Sequence, residues 1–78
     1  MNYKDLVEYM VKSLVDYPDQ VEIREIGGEK STILELKVTK EDIGKVIGKH
    51  GRIARAIRTI ISASATKSGK RVVLEILD

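Results

Sequence analysis

Residues 43–52 read Ile-Gly-Lys-Val-Ile-Gly-Lys-His-Gly-Arg, and the rest of the chain is built around this stretch. Two glycines, Gly48 and Gly51, enclose Lys49 and His50. Apolar residues recur at helical spacing before this segment and again after it, which predicts two short amphipathic helices joined by a four-residue loop. Glycine lets a backbone approach a ligand closely or adopt positive φ. The loop also leads into the positive end of the second helix, where anions bind favourably. Together these features predict a loop that grips phosphate.

The N-terminal half of the chain predicts a helix followed by a β-hairpin. A helix is predicted from Lys4 to Tyr17, because apolar residues recur at helical spacing over this range and Pro18 disfavours helical geometry at Tyr17. Alternating apolar residues then predict strands at 21–26 and 34–38, separated by a glycine-containing turn. Because the turn is short, the two strands should pair antiparallel.

The C-terminal half predicts two helices and a last strand. The segment Thr39-Lys40-Glu41-Asp42 resembles a capping box that begins the first helix of the central pair. Gly44 lies inside this helix, where glycine is unfavourable, so we expect it to permit a close approach of another helix or backbone. The second helix should run from about Arg52 to Thr66 and stop before Gly69, and residues 71–77 alternate as a strand does.

The predicted order of elements is α-β-β-α-α-β. The chain returns from its second strand to its third through two helices, which allows these strands to lie parallel. The expected fold class is therefore α+β, with a three-stranded mixed sheet and the helices packed on one face.

The loop and the order of elements both resemble a known family. Val46-Ile47-Gly48-Lys49-His50-Gly51, followed by Arg52, resembles the GxxG loop of KH domains, which clamps the backbone of about four nucleotides. The order α-β-β-α-α-β is similar to the type II, bacterial arrangement of KH domains. The resemblance covers residues 1–78 as a single KH domain. In size the chain resembles the small bacterial single-KH RNA-binding proteins.

The resemblance implies a function and a partner. Proteins of that family bind single-stranded RNA and work with a larger Jag-type protein that carries its own KH domain. They are described as probable RNA chaperones that affect cell elongation and cell-wall synthesis. The expected function is therefore single-stranded RNA binding and post-transcriptional regulation.

The resemblance also implies which residues bind RNA. The RNA would lie in a groove between the paired helices and the sheet, with the loop on its phosphates. Of Ile43, Val46 and Ile47, at least two should simply belong to the core. Many KH domains carry a larger aliphatic residue where this chain has Ala54, and the neighbouring Ile53 is expected to take up part of that packing. The implied RNA-binding residues are Lys45, Ile47, Gly48, Lys49, His50, Gly51, Arg52 and Arg55.

Charge is distributed unevenly along the chain. Residues 1–36 carry four Lys or Arg against eight acidic residues, whereas residues 37–71 carry ten Lys or Arg against two. The basic half contains the glycine loop, which favours a polyanionic partner. No apolar run approaches the ~20 residues of a membrane span, and the first residues do not resemble a signal peptide. A cytoplasmic protein without a membrane partner is expected.

An enzyme is not expected. The chain has no cysteine and His50 is its only histidine, so neither a thiolate metal site nor a histidine pair is available. No serine lies in a recognisable nucleophile elbow, and no cofactor or metal is expected. Two other classes remain open at this stage. A helix-turn-helix DNA-binding protein also joins two helices by a glycine-containing turn, and a scaffold subunit could use the same fold for protein contacts alone.

The second helix of the central pair has more apolar surface than one contact requires. Its apolar residues cover about 200° of the helix, whereas packing on one face of a sheet needs a stripe only somewhat wider than ~100°. Either the first helix covers this surplus, or a second chain does. In the second case the expected contact is a homodimer, or a heterodimer with the larger KH partner, centred on Ala56, Ile60 and Ala63.

Overall fold

The computed structural model describes residues 2–77 and has the expected order α-β-β-α-α-β. Short 3₁₀ turns precede β1, α2 and α3 at Pro18–Gln20, Lys40–Asp42 and Lys49–Gly51. The six main elements are α1 (Tyr3–Lys12), β1 (Glu22–Gly27), β2 (Ser31–Lys37), α2 (Ile43–Ile47), α3 (Arg52–Lys67) and β3 (Arg71–Ile76).

The three strands form one mixed sheet in the order β1-β2-β3. β1 and β2 pair antiparallel, from Glu22 opposite Lys37 to Gly27 opposite Thr32. β3 pairs parallel with β2. The chain reaches β3 through α2 and α3, because a parallel neighbour needs a long crossover. In the strand order β1-β2-β3, β3 is an outer strand. It directly follows α3 in the chain.

The core lies between the three helices and one face of the sheet. Strand residues of one parity, such as Leu34, Leu36 and Leu74, are buried, and all three helices contribute side chains to the same cluster. The prediction of helices on one face is therefore confirmed. The buried cluster consists of Val7, Val11, Leu34, Leu36, Val38, Val46, Ile57, Ile61, Ala65, Val72 and Leu74.

The first helix is shorter than its apolar stripe predicted. α1 ends at Lys12 rather than at Tyr17. The N–H groups of Asp16 and Tyr17 donate to the Asp42 carboxylate at 3.1 and 3.0 Å, so they are not available for helical hydrogen bonds. The apolar stripe continues beyond the helix because Val15 still packs against the core.

Two predictions for the start of α2 were wrong. The Thr39 side chain caps no helical N–H group, because the segment begins with a 3₁₀ turn and Asp42 points across to the end of α1 instead. Gly44 permits no close approach either, since a Cβ added there would meet no atom within 4 Å.

The end of α3 agrees with the prediction. Gly69 has φ 71°, and its N–H group donates to the Thr66 carbonyl at 3.0 Å. The N–H group of Lys70 donates to the Ala65 carbonyl at 2.8 Å. This pair of hydrogen bonds is a Schellman motif, which satisfies the last carbonyls of the helix and turns the chain toward β3.

Candidate nucleic-acid interface

The glycine loop has a backbone that only glycine adopts readily. Gly48 has φ 76° and ψ 172°, and Gly51 has φ 72° and ψ 16°. His50 also has positive φ, at 58°. The loop is held by its own hydrogen bonds, since the N–H of Gly51 donates to the Gly48 carbonyl and that of Arg52 to the Lys49 carbonyl. These hydrogen bonds fix the conformation of the loop backbone.

Ile53 explains why the first loop position must be glycine. A Cβ added at Gly48 would lie 2.6 Å from the Ile53 side chain, which packs directly over this residue. Ile53 thus does take up packing beside the small, buried Ala54, as expected from the sequence. At Gly51 a Cβ would meet nothing, so only positive φ favours glycine there.

Basic side chains lie around the start of α3. No side chain caps this end of the helix, and Gly51 occupies its N-cap position. Lys49, His50 and Arg52 are exposed, and across residues 2–77 they form no side-chain hydrogen bond or ion pair. The positive end of the helix and these side chains therefore reinforce one another, which favours an anion at the loop.

A cleft of about 340 Å³ lies beside the loop, between α3 and β3. Ile47 and Gly51 line it at the loop, and Ile76 lines it on the sheet. Arg55 reaches it from α3. Three of the predicted RNA-binding residues, Ile47, Gly51 and Arg55, therefore line one cleft, and Lys49, His50 and Arg52 lie next to Gly51 in the sequence. Of the aliphatics in α2, Val46 is buried and Ile43 packs against the core, as predicted, while Ile47 lines the cleft.

Lys45 lies in a different environment from the other predicted residues. Its ammonium is 3.1 Å from an Asp16 carboxylate oxygen and 3.8 Å from one of Asp42. The hydrogen bond and the charge of Asp16 raise the pKa of Lys45. The ammonium of Lys45 therefore interacts with Asp16 and Asp42 rather than lying free beside the loop. Its contact with RNA stays a prediction.

Asp42 is a buried structural carboxylate. Burial alone would raise its pKa, but the N–H groups of Asp16 and Tyr17 and the charge of Lys45 hold the pKa below its ordinary value. The side chain therefore stays ionised and ties the start of α2 to the segment that follows α1.

Sequence reasoning missed Arg58 as a cleft residue. Its Nε donates to the carbonyl of Leu74 at 3.3 Å, which links α3 to β3 along the wall of the cleft. The spacing Arg52, Arg55, Arg58 could have indicated it, because residues three apart lie on neighbouring turns of one helix face.

In the part of the chain that the structure describes, no group of three or more His, Cys, Asp or Glu side chains could hold a metal ion. No helix within residues 2–77 is both long and apolar enough to span a bilayer.

The order α-β-β-α-α-β, the mixed sheet and the GxxG loop between two helices define a type II KH domain. The chain belongs to the KhpA/KhpB KH-domain family, whose model matches residues 4–76. This assignment argues against a helix-turn-helix protein. The length of α2, only five residues, argues against it as well.

Several relatives are similar over nearly their whole length. The RNA-binding protein KhpA of Clostridium acetobutylicum is 64% identical over 74 residues, which cover 95% of this chain and 99% of the relative. KhpA of Borreliella burgdorferi is 60% identical, covering 99% of this chain and 94% of the relative. KhpA of Aquifex aeolicus is 59% identical, covering 96% and 95%. No solved structure matches the chain. The relatives are RNA-binding proteins by name, which agrees with the expectation that the chain is not an enzyme.

Proposed function

We propose that this chain binds single-stranded RNA by gripping its backbone with the loop Gly48–Gly51. The observation that carries the proposal is the internally hydrogen-bonded loop at the uncapped start of α3, beside exposed Lys49, His50 and Arg52. Phosphates of about four nucleotides lie on the loop, and bases enter the cleft lined by Ile47 and Ile76. The names of the relatives support RNA as the ligand.

The test replaces Lys49 and His50 together by Asp, which puts carboxylates where phosphates bind. RNA affinity should fall about tenfold or more, because phosphate contacts dominate binding to nucleic acids. The melting temperature should stay near that of the wild type, since both side chains are exposed. Arg24→Asp, on β1 at the opposite edge of the sheet, is the control and should bind normally. Normal binding by the double variant would refute the clamp.

A comparison of ligands separates this function from DNA recognition. Fluorescence anisotropy with matched oligonucleotides should show micromolar or weaker binding that decreases with salt and prefers single-stranded RNA. A clear preference for duplex DNA would contradict the proposal.

The proposed cellular role follows the family resemblance. The chain acts in the cytoplasm as an RNA chaperone or post-transcriptional regulator, together with a larger Jag-type partner of the KhpB kind. The family description, which joins KhpA and KhpB, supports this partner. Through it the chain would influence cell elongation and cell-wall homeostasis. Sequencing of RNA crosslinked in cells, with the Lys49→Asp/His50→Asp variant as control, tests the role directly.

A dimer through the outer face of α3 is part of the proposal. Ala56, Ile60 and Ala63 are exposed, and Ile60 retains 47% of its accessible surface, so α1 does not cover this face. Its three residues lie about 140–160° around the helix from Arg58, which lines the cleft. A homodimer, or a heterodimer with the larger KH protein, therefore leaves the cleft open and joins two weak RNA sites.

Ile60→Lys tests the dimer. The variant should sediment as a folded monomer with reduced RNA affinity. A wild-type chain that stays monomeric at high micromolar concentration would exclude the homodimer and leave only the heterodimer.

A further inference from the structure

The cleft at the loop continues along α3 into a second cleft. The second cleft has a volume of about 310 Å³ and lies between the C-terminal half of α3 and β3. Arg58 lines both clefts, so its side chain borders the two cavities. Together they follow α3 along most of its 16 residues, about 24 Å at ~1.5 Å per residue.

The walls of the second cleft carry groups that bind a nucleic-acid backbone. Ser62 and Thr66 contribute hydroxyl groups from α3, and Lys70 and Arg71 contribute cations at the far end. Side chains of these types supply most phosphate and sugar contacts in protein–nucleic acid complexes. All ion pairs among residues 2–77 involve Lys12 or Lys45, so the two cations of the cleft remain unpaired within that range.

The sheet wall adds hydrogen-bonding groups of the backbone. Arg71 and Leu77 direct their N–H groups to β2, where they meet the carbonyls of Lys30 and Leu36. The backbone N–H and C=O groups of the even-numbered residues of β3 point away from β2. The Leu74 carbonyl, which accepts a hydrogen bond from Arg58, is one of them. Because β3 is an outer strand, its remaining outward N–H and C=O groups are available to base edges.

The negative end of the α3 dipole does not repel a phosphate from this place. The last carbonyls of the helix already accept hydrogen bonds from the N–H groups of Ser68, Gly69 and Lys70. The nearby side chains are cationic, with Lys67 in the last turn of the helix. The far end of the groove is therefore a second basic site, separated from the loop by the length of α3.

We propose that a bound RNA strand continues beyond the four nucleotides at the loop and follows α3 to Lys70 and Arg71, which bind further phosphates. This inference rests on the proposed function, because it extends the same strand in the same groove. The ligand is a single strand longer than the usual KH footprint of about four nucleotides. Arg58 stands between the two clefts, and its four remaining N–H donors can bind the strand as it passes.

The experiment compares labelled oligouridylates of four and eight nucleotides by fluorescence anisotropy over a range of salt concentrations. The variant is Lys70→Gln/Arg71→Gln, and Lys12→Gln/Arg24→Gln is a control with the same loss of charge away from the groove. Each phosphate contact to a single strand contributes about 0.7 to the slope of log affinity against log salt. Loss of two contacts should therefore lower the slope for the eight-nucleotide strand by about 1.4, which corresponds to a loss of affinity of about 25-fold in 0.1 M salt.

The variant should bind the four-nucleotide strand like the wild type, and the control should match the wild type with both strands. A longer strand offers more positions at which a four-nucleotide site can bind. This statistical gain is the same for the wild type, the variant and the control, so it cannot produce a loss in the variant alone. An unchanged slope with the eight-nucleotide strand, or an equal loss with both strands, would overturn the inference. A different variant tests the proposed function itself. If Lys49→Asp/His50→Asp binds the four-nucleotide strand normally, the proposed function is wrong, whatever the result for Lys70→Gln/Arg71→Gln.

Discussion

Three glycines in and beside the GxxG loop should respond very differently to replacement by alanine. Gly48 has φ 76° and ψ 172°, a region that essentially only glycine occupies and that costs other residues about 1–3 kcal/mol. A Cβ there would also lie 2.6 Å from Ile53, which must move. Overpacking of this kind costs about 1–3 kcal/mol more. The Gly48→Ala variant should therefore lose roughly 2–6 kcal/mol of unfolding free energy, the sum of these ranges.

The other two glycines are matched controls. Gly51 has positive φ but open space around it, so Gly51→Ala should cost only about 1–2 kcal/mol. Gly44 lies in α2 with no atom near its missing Cβ, so Gly44→Ala should stabilise the chain by about 0.5–1 kcal/mol. Urea unfolding followed by circular dichroism measures all three. Equal losses at Gly48 and Gly51, or a loss at Gly44, would refute this account of the loop.

Three further substitutions test other parts of the structure. Because the folded-state pKa of Asp42 lies below its unfolded value, its contribution to stability is complete above about pH 4 and is lost as pH falls through the folded pKa. Asp42→Asn should thus lower the melting temperature at pH 7, and the melting temperature of the variant should fall less steeply than that of the wild type as the pH is lowered. Thermal scans in which both proteins lose the same melting temperature on acidification would contradict this. Ile61→Ala should cost about 2–5 kcal/mol because Ile61 is buried, whereas Ile60→Ala should cost less than about 1 kcal/mol in the monomer, as urea titrations of both can check. Arg58→Gln should weaken RNA binding several-fold with little change in melting temperature. If fluorescence anisotropy shows an unchanged affinity, Arg58 does not contact the RNA.

Local patterns were sufficient to predict the KH fold. Helical and strand periodicities, the glycine loop and the Gly69 helix end depend on residues close together in sequence. The loop needs two glycines three residues apart, and the charges around it lie within four positions. A site assembled from one short segment can therefore be predicted from that segment, which is why seven of the eight predicted RNA-binding residues lie at the loop or cleft.

Contacts between distant segments decided the remaining features. Asp42 was read as a local cap, yet it bonds backbone groups 25 and 26 residues away and draws Lys45 into the same cluster. The same bonds set the end of α1, because a buried carboxylate takes whichever N–H donors the fold brings to it. Arg58 reaches the interface only because β3 returns beside α3 and presents the Leu74 carbonyl. The sequence by itself determined the elements and the GxxG loop, while the tertiary structure decided which polar groups meet, since their partners depend on packing rather than on spacing along the chain.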